Sequence, residues 1–468
     1  METLMNTRWV LIIGVIIFGI IALGLIISAG SEDASARIDN SGTSVTAEAQ
    51  TATVIASEEP RENAVDNEQE ESTSITKPDE MVASDSPVVQ STGEMDEVGS
   101  GGLENMPAVD LVTPPELVGE EPPNGARNSF STDFDNHTVS YLDILSGGPP
   151  KDGIPAIDRP KFISVEEADG WLKTKEPVIF FQFGEDGRAY PLQILTWHEI
   201  VNDVVGGEPV TLTFCPLCNT AIAFKRTFDG QILDFGTTGR LRNSNLIMYD
   251  RQTESWWQQA TGEGIAGKYA GEQLTFLPAA IVSWEDFREN HPQGRVLSSD
   301  TGFSRSYGRN PYAGYDDINS SPFLFSGNTP DQLRPMTRVL TVDLNGGAVA
   351  YSYDLLSELH VVNDEIAGQP VVIFWVAGTA SALDSGNLAE GRDVGAANSF
   401  SRVLNGRTLN FSFDGERIVD EESGSVWNVF GEAESGELAG AKLEPVVGVN
   451  HFWFSWAAFK PETRVYTP

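Results

Sequence analysis

Cysteine is nearly absent from this 468-residue chain, which has two, and histidine occurs only five times. Two thiols exclude a disulfide-stapled scaffold and a four-thiolate zinc centre. Basic residues are scarce as well: 30 Lys and Arg stand against 68 Asp and Glu, a net charge of −38. Phosphate must be met by clustered Lys and Arg, so this balance excludes nucleic acid as a partner. Aromatic residues, His and Cys are all missing from 30–129. Such a stretch cannot bury enough apolar area to offset its ordering entropy, and it predicts a disordered stalk. Between 31 and 127 it carries 22 acidic and 4 basic residues, so it should repel itself and extend.

What precedes the stalk is its opposite. Trp9 to Ala29 is a run of 21 residues without a charge, about 30 Å as a helix. A secretory signal has a shorter apolar centre; Ala34-Ser35-Ala36 offers a cleavage site, but Glu32 and Asp33 sit just before it. The reading is an uncleaved single-pass anchor at 9–29, with a cleaved signal as the alternative. Arg8 lies on the short side and acids follow the span, which places 1–8 in the cytoplasm and the body outside, at a prokaryotic surface or in a periplasm.

Foldable sequence begins at Phe130. Val178–Phe183 reads as a strand, Glu185-Asp186-Gly187 as its turn and Arg188–Leu192 as its return. Val210–Phe214, Ala221–Phe224 and Ile232–Phe235 continue the pattern, with Asp229-Gly230 as a hairpin signal. One short helix is predicted at Gln193–Val201. The expected fold is all-β with few short helices, built of antiparallel sandwich or barrel units.

An internal repeat organises the body. Residues 190–210 align without a gap to 351–371, with eight identities, among them Tyr190/Tyr351, Asn202/Asn363 and Asp203/Asp364. Further on, Asp250 matches Asp420, Trp257 matches Trp427, and Ser283-Trp284 matches Ser455-Trp456. The expected layout is a first β unit at 130–300, a connector at 301–337 and a degenerate second unit at 338–468. Residues shared by both copies serve the common fold: Asn-Asp should close a turn, and the tryptophans should fill equivalent cores. Residues in one copy only are free for function. The register puts Leu359 opposite His198, Val376 opposite Cys215 and Thr379 opposite Cys218, so the chemistry belongs to the first copy.

Cys215-Pro-Leu-Cys218 lies between two predicted strands. Thiols at this spacing chelate a soft metal or close a small ring. A turn after His198 should bring its imidazole back beside the strand ending at Cys215. His198, Cys215 and Cys218 therefore form a candidate Cys₂His site for copper, with zinc also compatible, and with redox activity of the metal as one use. Two alternatives stay open: a thiol–disulfide oxidoreductase using Cys215 and Cys218, and a non-catalytic surface module with a structural disulfide. Covalent haem is excluded because Asn219 stands where it needs histidine, and no nucleotide cofactor is expected. Whether the protein is an enzyme stays undecided.

Arg240, Arg242, Asn243, Asn245 and Arg251 gather within a short segment of a strongly anionic chain. They are candidates for clamping a small anionic ligand; the competing reading pairs the arginines with the excess acids. Tyr307 to Tyr312 of the connector could wall the same cleft. His291, His360 and His451 read as structural.

Trp197-His-Glu-Ile-Val-Asn-Asp203, Phe214-Cys-Pro-Leu-Cys218, the segment Leu241–Ser255, the connector Tyr307-Gly-Arg-Asn-Pro-Tyr312 and the closing Phe452-Trp-Phe-Ser-Trp456 resemble the prokaryotic domain of unknown function 3179 family. The likeness covers roughly 130–468. It implies an exported or anchored protein and interest in the His and Cys motifs. It names no activity and does not choose between metal and redox chemistry.

Overall fold

Short apolar runs closed by glycine turns build sheets rather than helices, and the computed structural model of this chain is mostly β with few short helices. It describes residues 112–468. The run Trp9–Ala29 and the stalk up to 111 lie outside the described residues. Among the described residues no helix is long and apolar enough to cross a membrane.

Residues 112–129, expected to lie in the stalk, are structured. Ala126–Ser129 forms a short helix with Ala126 fully buried, and Glu120 accepts hydrogen bonds from Ser140 and the Tyr141 amide. The segment is held through polar contacts and one small side chain, which an aromatic-based boundary misses.

The element order from Pro177 to Leu297 recurs from Arg338 to Val465. Strands Pro177–Phe183 and Asp186–Pro191 form a hairpin, as do Arg338–Leu344 and Gly347–Ser352. Helices Leu192–His198 and Tyr353–Leu359 follow. Each leads into a three-strand meander: Ile200–Val205, Glu208–Cys215 and Thr220–Lys225 in the first half, and Val361–Ile366, Gln369–Val376 and Ala396–Ser401 in the second. A small hairpin comes next, turning at Asp229-Gly230 or Asn405-Gly406, where all four residues have positive φ. Four short strands then run from Phe235 to Ala266 and from Phe411 to Ser435. The last strand of each half pairs in parallel with the hairpin: Arg295–Leu297 with Asp186–Pro191, and Arg464–Val465 with Gly347–Ser352. These two parallel pairings depart from the expected all-antiparallel arrangement.

Several residues common to both halves make the same contacts in each, although Ser283-Trp284 and Ser455-Trp456 do not: Ser283 caps the helix that Trp284 opens, while Ser455 and Trp456 lie inside the helix Trp453–Ala457. The indole of Trp257 donates to Asp250 at 2.9 Å and that of Trp427 to Asp420 at 3.0 Å, and both rings are buried. Asn202 and Asn363 do not close turns; they lie within strands Ile200–Val205 and Val361–Ile366. The first turn falls instead at Gly206-Gly207, where a side chain on Gly206 would collide with the Phe183 carbonyl. The first hairpin likewise turns at Gly184-Glu185, one residue before the expected turn.

Asn202 clamps a separate strand. Its amide nitrogen donates to the Phe235 carbonyl at 2.8 Å, and its oxygen accepts from the Phe235 amide at 3.1 Å. Asn363 does the same for Phe411. Only a side chain with both a donor and an acceptor serves here. Asn202→Ala should cost about 2–3 kcal/mol in denaturant unfolding, because two buried backbone groups lose their partners. Asn202→Asp should be nearly as harmful, since a carboxylate cannot donate to the carbonyl.

The halves share one interior. Tyr190, Leu195 and Phe214 pack in the same cluster as Ala382, Leu388, Phe452 and Phe454. The connector is pinned there by Asp316, 1 % exposed, which pairs with Arg338 and Arg392 and accepts from Ser381.

Candidate functional site

Both cysteines sit at the tip of one hairpin. Cys215 ends its strand, Pro216–Cys218 forms a single 3-10 turn, and Asn219 in the left-handed region turns the chain into Thr220–Lys225. The thiols are unbridged, and both are buried, at 2 % and 0 % exposure. Cys218 Sγ lies 3.4 Å and Cys215 Sγ 3.9 Å from the Ser244 carbonyl oxygen. That carbonyl belongs to the two-residue turn Asn243-Ser244, which joins strands Phe235–Arg242 and Asn245–Asp250; both turn residues have positive φ. Burial, the adjoining Cys218 thiol and the charge of Glu199 push the Cys215 thiol well above its ordinary range.

His198 is held elsewhere. It ends helix Leu192–His198, fully buried, with Nδ1 2.7 Å from the Pro155 carbonyl and Nε2 2.7 Å from the Tyr307 hydroxyl. A carbonyl can only accept, so Nδ1 carries the proton and Nε2 accepts from the phenol. Burial lowers the imidazole pKa to about 4, so the ring is neutral. Both ring nitrogens are thus committed, and the sequence-based Cys₂His convergence finds no counterpart. The cause is Glu199, whose left-handed conformation (φ 59°) reverses the chain between helix and strand. Among the described residues no group of three or more His, Cys, Asp and Glu is arranged to hold a metal ion.

The residue that accompanies the thiols is Glu199. Its amide is bonded to Leu195, and its carbonyl accepts from Phe214, next to Cys215. Its carboxyl is buried, and burial alone raises its pKa to about 8. Tyr312 from the connector lies near Glu199 and Cys215, and Tyr315 near both cysteines; both phenols are pushed up, first by burial. The asymmetry that singled out His198 would also have found Glu199, because the register sets His360 opposite it. The two are equivalent, both ending a helix with φ near 60°. Tyr312 and Tyr315 lie in a loop without periodicity, so the connector motif, which ends at Tyr312, points to the first and not to the second.

The arginines do not converge. Arg251 is paired with Asp158 and Asp152, as the structural reading of the cluster expects. Arg240 donates to the Asn124 carbonyl and lies over the Trp256 ring, while Arg242 packs over Phe459. Asn243 forms the turn, and Asn245 is buried in an amide network with Gln258 and Gln259. Their joint product is the turn that presents Ser244 to the sulfurs. His451 is buried and bonded to Thr220, and His360 stacks on Phe413.

Four separated motifs therefore meet at one place: 197–199, 215–218, 243–245 and the connector. Trp197 bonds the Arg309 carbonyl, His198 bonds Tyr307, and Glu199 neighbours Tyr312. The model of the family described as "Protein of unknown function (DUF3179)" matches residues 151–463, which contain all four. No curated protein and no solved structure matches the chain.

Proposed function

We propose, for a chain that belongs to the DUF3179 family, that Cys215 and Cys218 bind one soft metal ion, copper by preference, in an anchored extracytoplasmic protein. The observation that carries this reading is the approach of two unbridged thiols to each other and to one carbonyl oxygen. Thiolates favour monovalent copper. Zinc in a closed site takes four ligands, and the side-chain oxygens near the thiols, the Glu199 carboxyl and the Tyr312 and Tyr315 phenols, are pushed toward their protonated forms by burial. The pair is too buried to meet a bulky disulfide, whereas an ion is small. In this reading His198 positions Tyr307 and is not a ligand.

The same features give thiol–disulfide exchange as a second reading, favoured by Glu199 next to Cys215. The two thiols would pass two electrons to an acceptor disulfide and close a ring, and their two protons would end on the two thiols of the reduced acceptor. The recurrence of element order supports a duplicated β unit whose second copy lost its site. The apolar run at 9–29 and the acidic stalk support an anchor and tether, to be checked by fractionation of chains with and without 1–29.

Anaerobic titration of the purified chain with monovalent copper against a competing chelator tests the main reading. One ion per chain should bind, with Cys215→Ser or Cys218→Ser lowering affinity at least about 100-fold and His198→Ala leaving stoichiometry unchanged. Two protons leave when both thiols ligate, so apparent affinity should rise up to about 100-fold per pH unit. No binding by a chain with two titratable thiols would defeat the metal. Formation of a reversible intramolecular disulfide by that chain would then favour the second reading.

A further inference from the structure

A separate cleft of about 510 Å³ opens between the first half, the connector and the loop at 387–389. That volume suits a small molecule. Trp171, Lys173, Glu176, Gln193, Arg305 and Tyr307 give it its chemistry. Its buried polar pair is Glu176, 4 % exposed, and Gln193, 6 % exposed, joined by a 2.6 Å hydrogen bond from the Gln193 amide. On another wall Tyr307 is oriented by His198 and accepts from Thr301 at 2.5 Å. At the mouth stand two exposed cations, Lys173 and Arg305, neither of which pairs with a carboxylate among the described residues. They give the mouth of this cleft a positive pole in a strongly acidic chain. Trp171 adds a half-buried indole with a flat apolar face.

We propose that this cleft binds a small hydroxylated organic anion of the sugar-acid class. Lys173 and Arg305 take the carboxylate, Trp171 packs against the C–H face of the carbon skeleton, and Glu176, Gln193 and Tyr307 bond the hydroxyls. Burial raises the Glu176 pKa to about 7, so the carboxyl is largely neutral in mildly acidic solution and does not repel the anion. The site stands independently of the thiols, because none of these six residues approaches them as a ligand.

Calorimetric titration of the whole chain at pH 6 with glucuronate, gluconate, glucose and glucose 6-phosphate tests it. Glucuronate or gluconate should bind saturably at millimolar concentration or below, and glucose at least about tenfold more weakly. Arg305→Ala and Lys173→Ala should each weaken the acid about tenfold, and both positions are exposed enough to leave folding intact. Trp171→Ala should weaken acid and neutral sugar alike. Absence of saturable acid binding overturns the proposal, as does equal binding of glucose. Binding of the phosphate ester without the acids overturns the ligand class. Acid binding indifferent to both Arg305→Ala and Lys173→Ala overturns the site.

Discussion

Asp203→Ala should destabilise the protein by about 3–5 kcal/mol, while the same change at its counterpart, Asp364→Ala, should cost only about 1–2 kcal/mol. Both carboxylates accept from an equivalent tyrosine, Tyr190 at 2.6 Å and Tyr351 at 2.7 Å. Both also accept from the next backbone amide, at 2.7 and 2.8 Å. The difference lies in the guanidinium. Arg188 and Asp203 form a 2.6 Å pair with side chains 6 % and 7 % exposed. Arg464 and Asp364 are also 2.6 Å apart, but the arginine is 47 % exposed. Removing Asp364 leaves Arg464 free to turn to water, so little beyond the tyrosine bond is lost. Removing Asp203 leaves Arg188 buried with Asp186 as its remaining carboxylate, and Asp186 is shared with Arg295. Asp203→Asn should recover part of the loss, because its carbonyl still accepts from Tyr190. Denaturant midpoints of the four proteins measure this, and equal shifts at the two positions would show that burial does not decide the cost.

That pair also shows how much the sequence discloses. Tyr190, Asn202, Asp203, Asp250 and Trp257 are legible as scaffold because the same residues recur in the second half at equivalent places, and each makes the contact its counterpart makes. The repeat could not say what those contacts were. Asn and Asp favour turns by local side-chain bonding, yet here their partners lie far along the chain, at Phe235 and Arg188, and tertiary bonding overrides the local preference. The sequence predicts a helix through Val201, but Glu199 in the left-handed region ends it at His198 and turns the imidazole toward Pro155 and Tyr307. One backbone reversal therefore replaced His198 with Glu199 at the thiols. The gapless register holds through Val376, which ends its strand as Cys215 does. It fails beyond, because 377–395 is a longer loop than 216–219, and Thr379 is no true counterpart of Cys218. The cover over the site comes from connector tyrosines, and loops have no period from which contacts can be read.

The second large effect concerns pH, and the same Glu199 controls it. Burial raises Glu199 to about 8 and Glu176 to about 7, so the folded chain keeps protons that the unfolded chain releases near pH 4–5. Stability from these groups falls as pH rises from there to their folded values. Burial lowers His198 to about 4 and His451 to about 3, so the unfolded chain gains protons below about 6.5 that the folded chain refuses. Stability from these groups falls as pH drops. The two trends oppose each other between about pH 4.5 and 6.5 and should give a plateau there. Above it only the carboxyls act, and stability should decline toward pH 8. In the metal-free protein Glu199→Gln cannot ionise, so its stability relative to wild type should improve by about 2 kcal/mol between pH 6.5 and 8. An alkaline limb unchanged in Glu199→Gln would mean that the carboxyl is not held neutral. Two neutral thiols that bind one monovalent copper ion as thiolates end with a net charge of −1, which opposes ionisation of the adjacent carboxyl, so loading with copper should leave the Glu199 penalty in wild type and add, in wild type and Glu199→Gln alike, a stabilisation that grows with pH. The folding equilibrium then reports occupancy of the thiol site without any assumption about the reaction it serves.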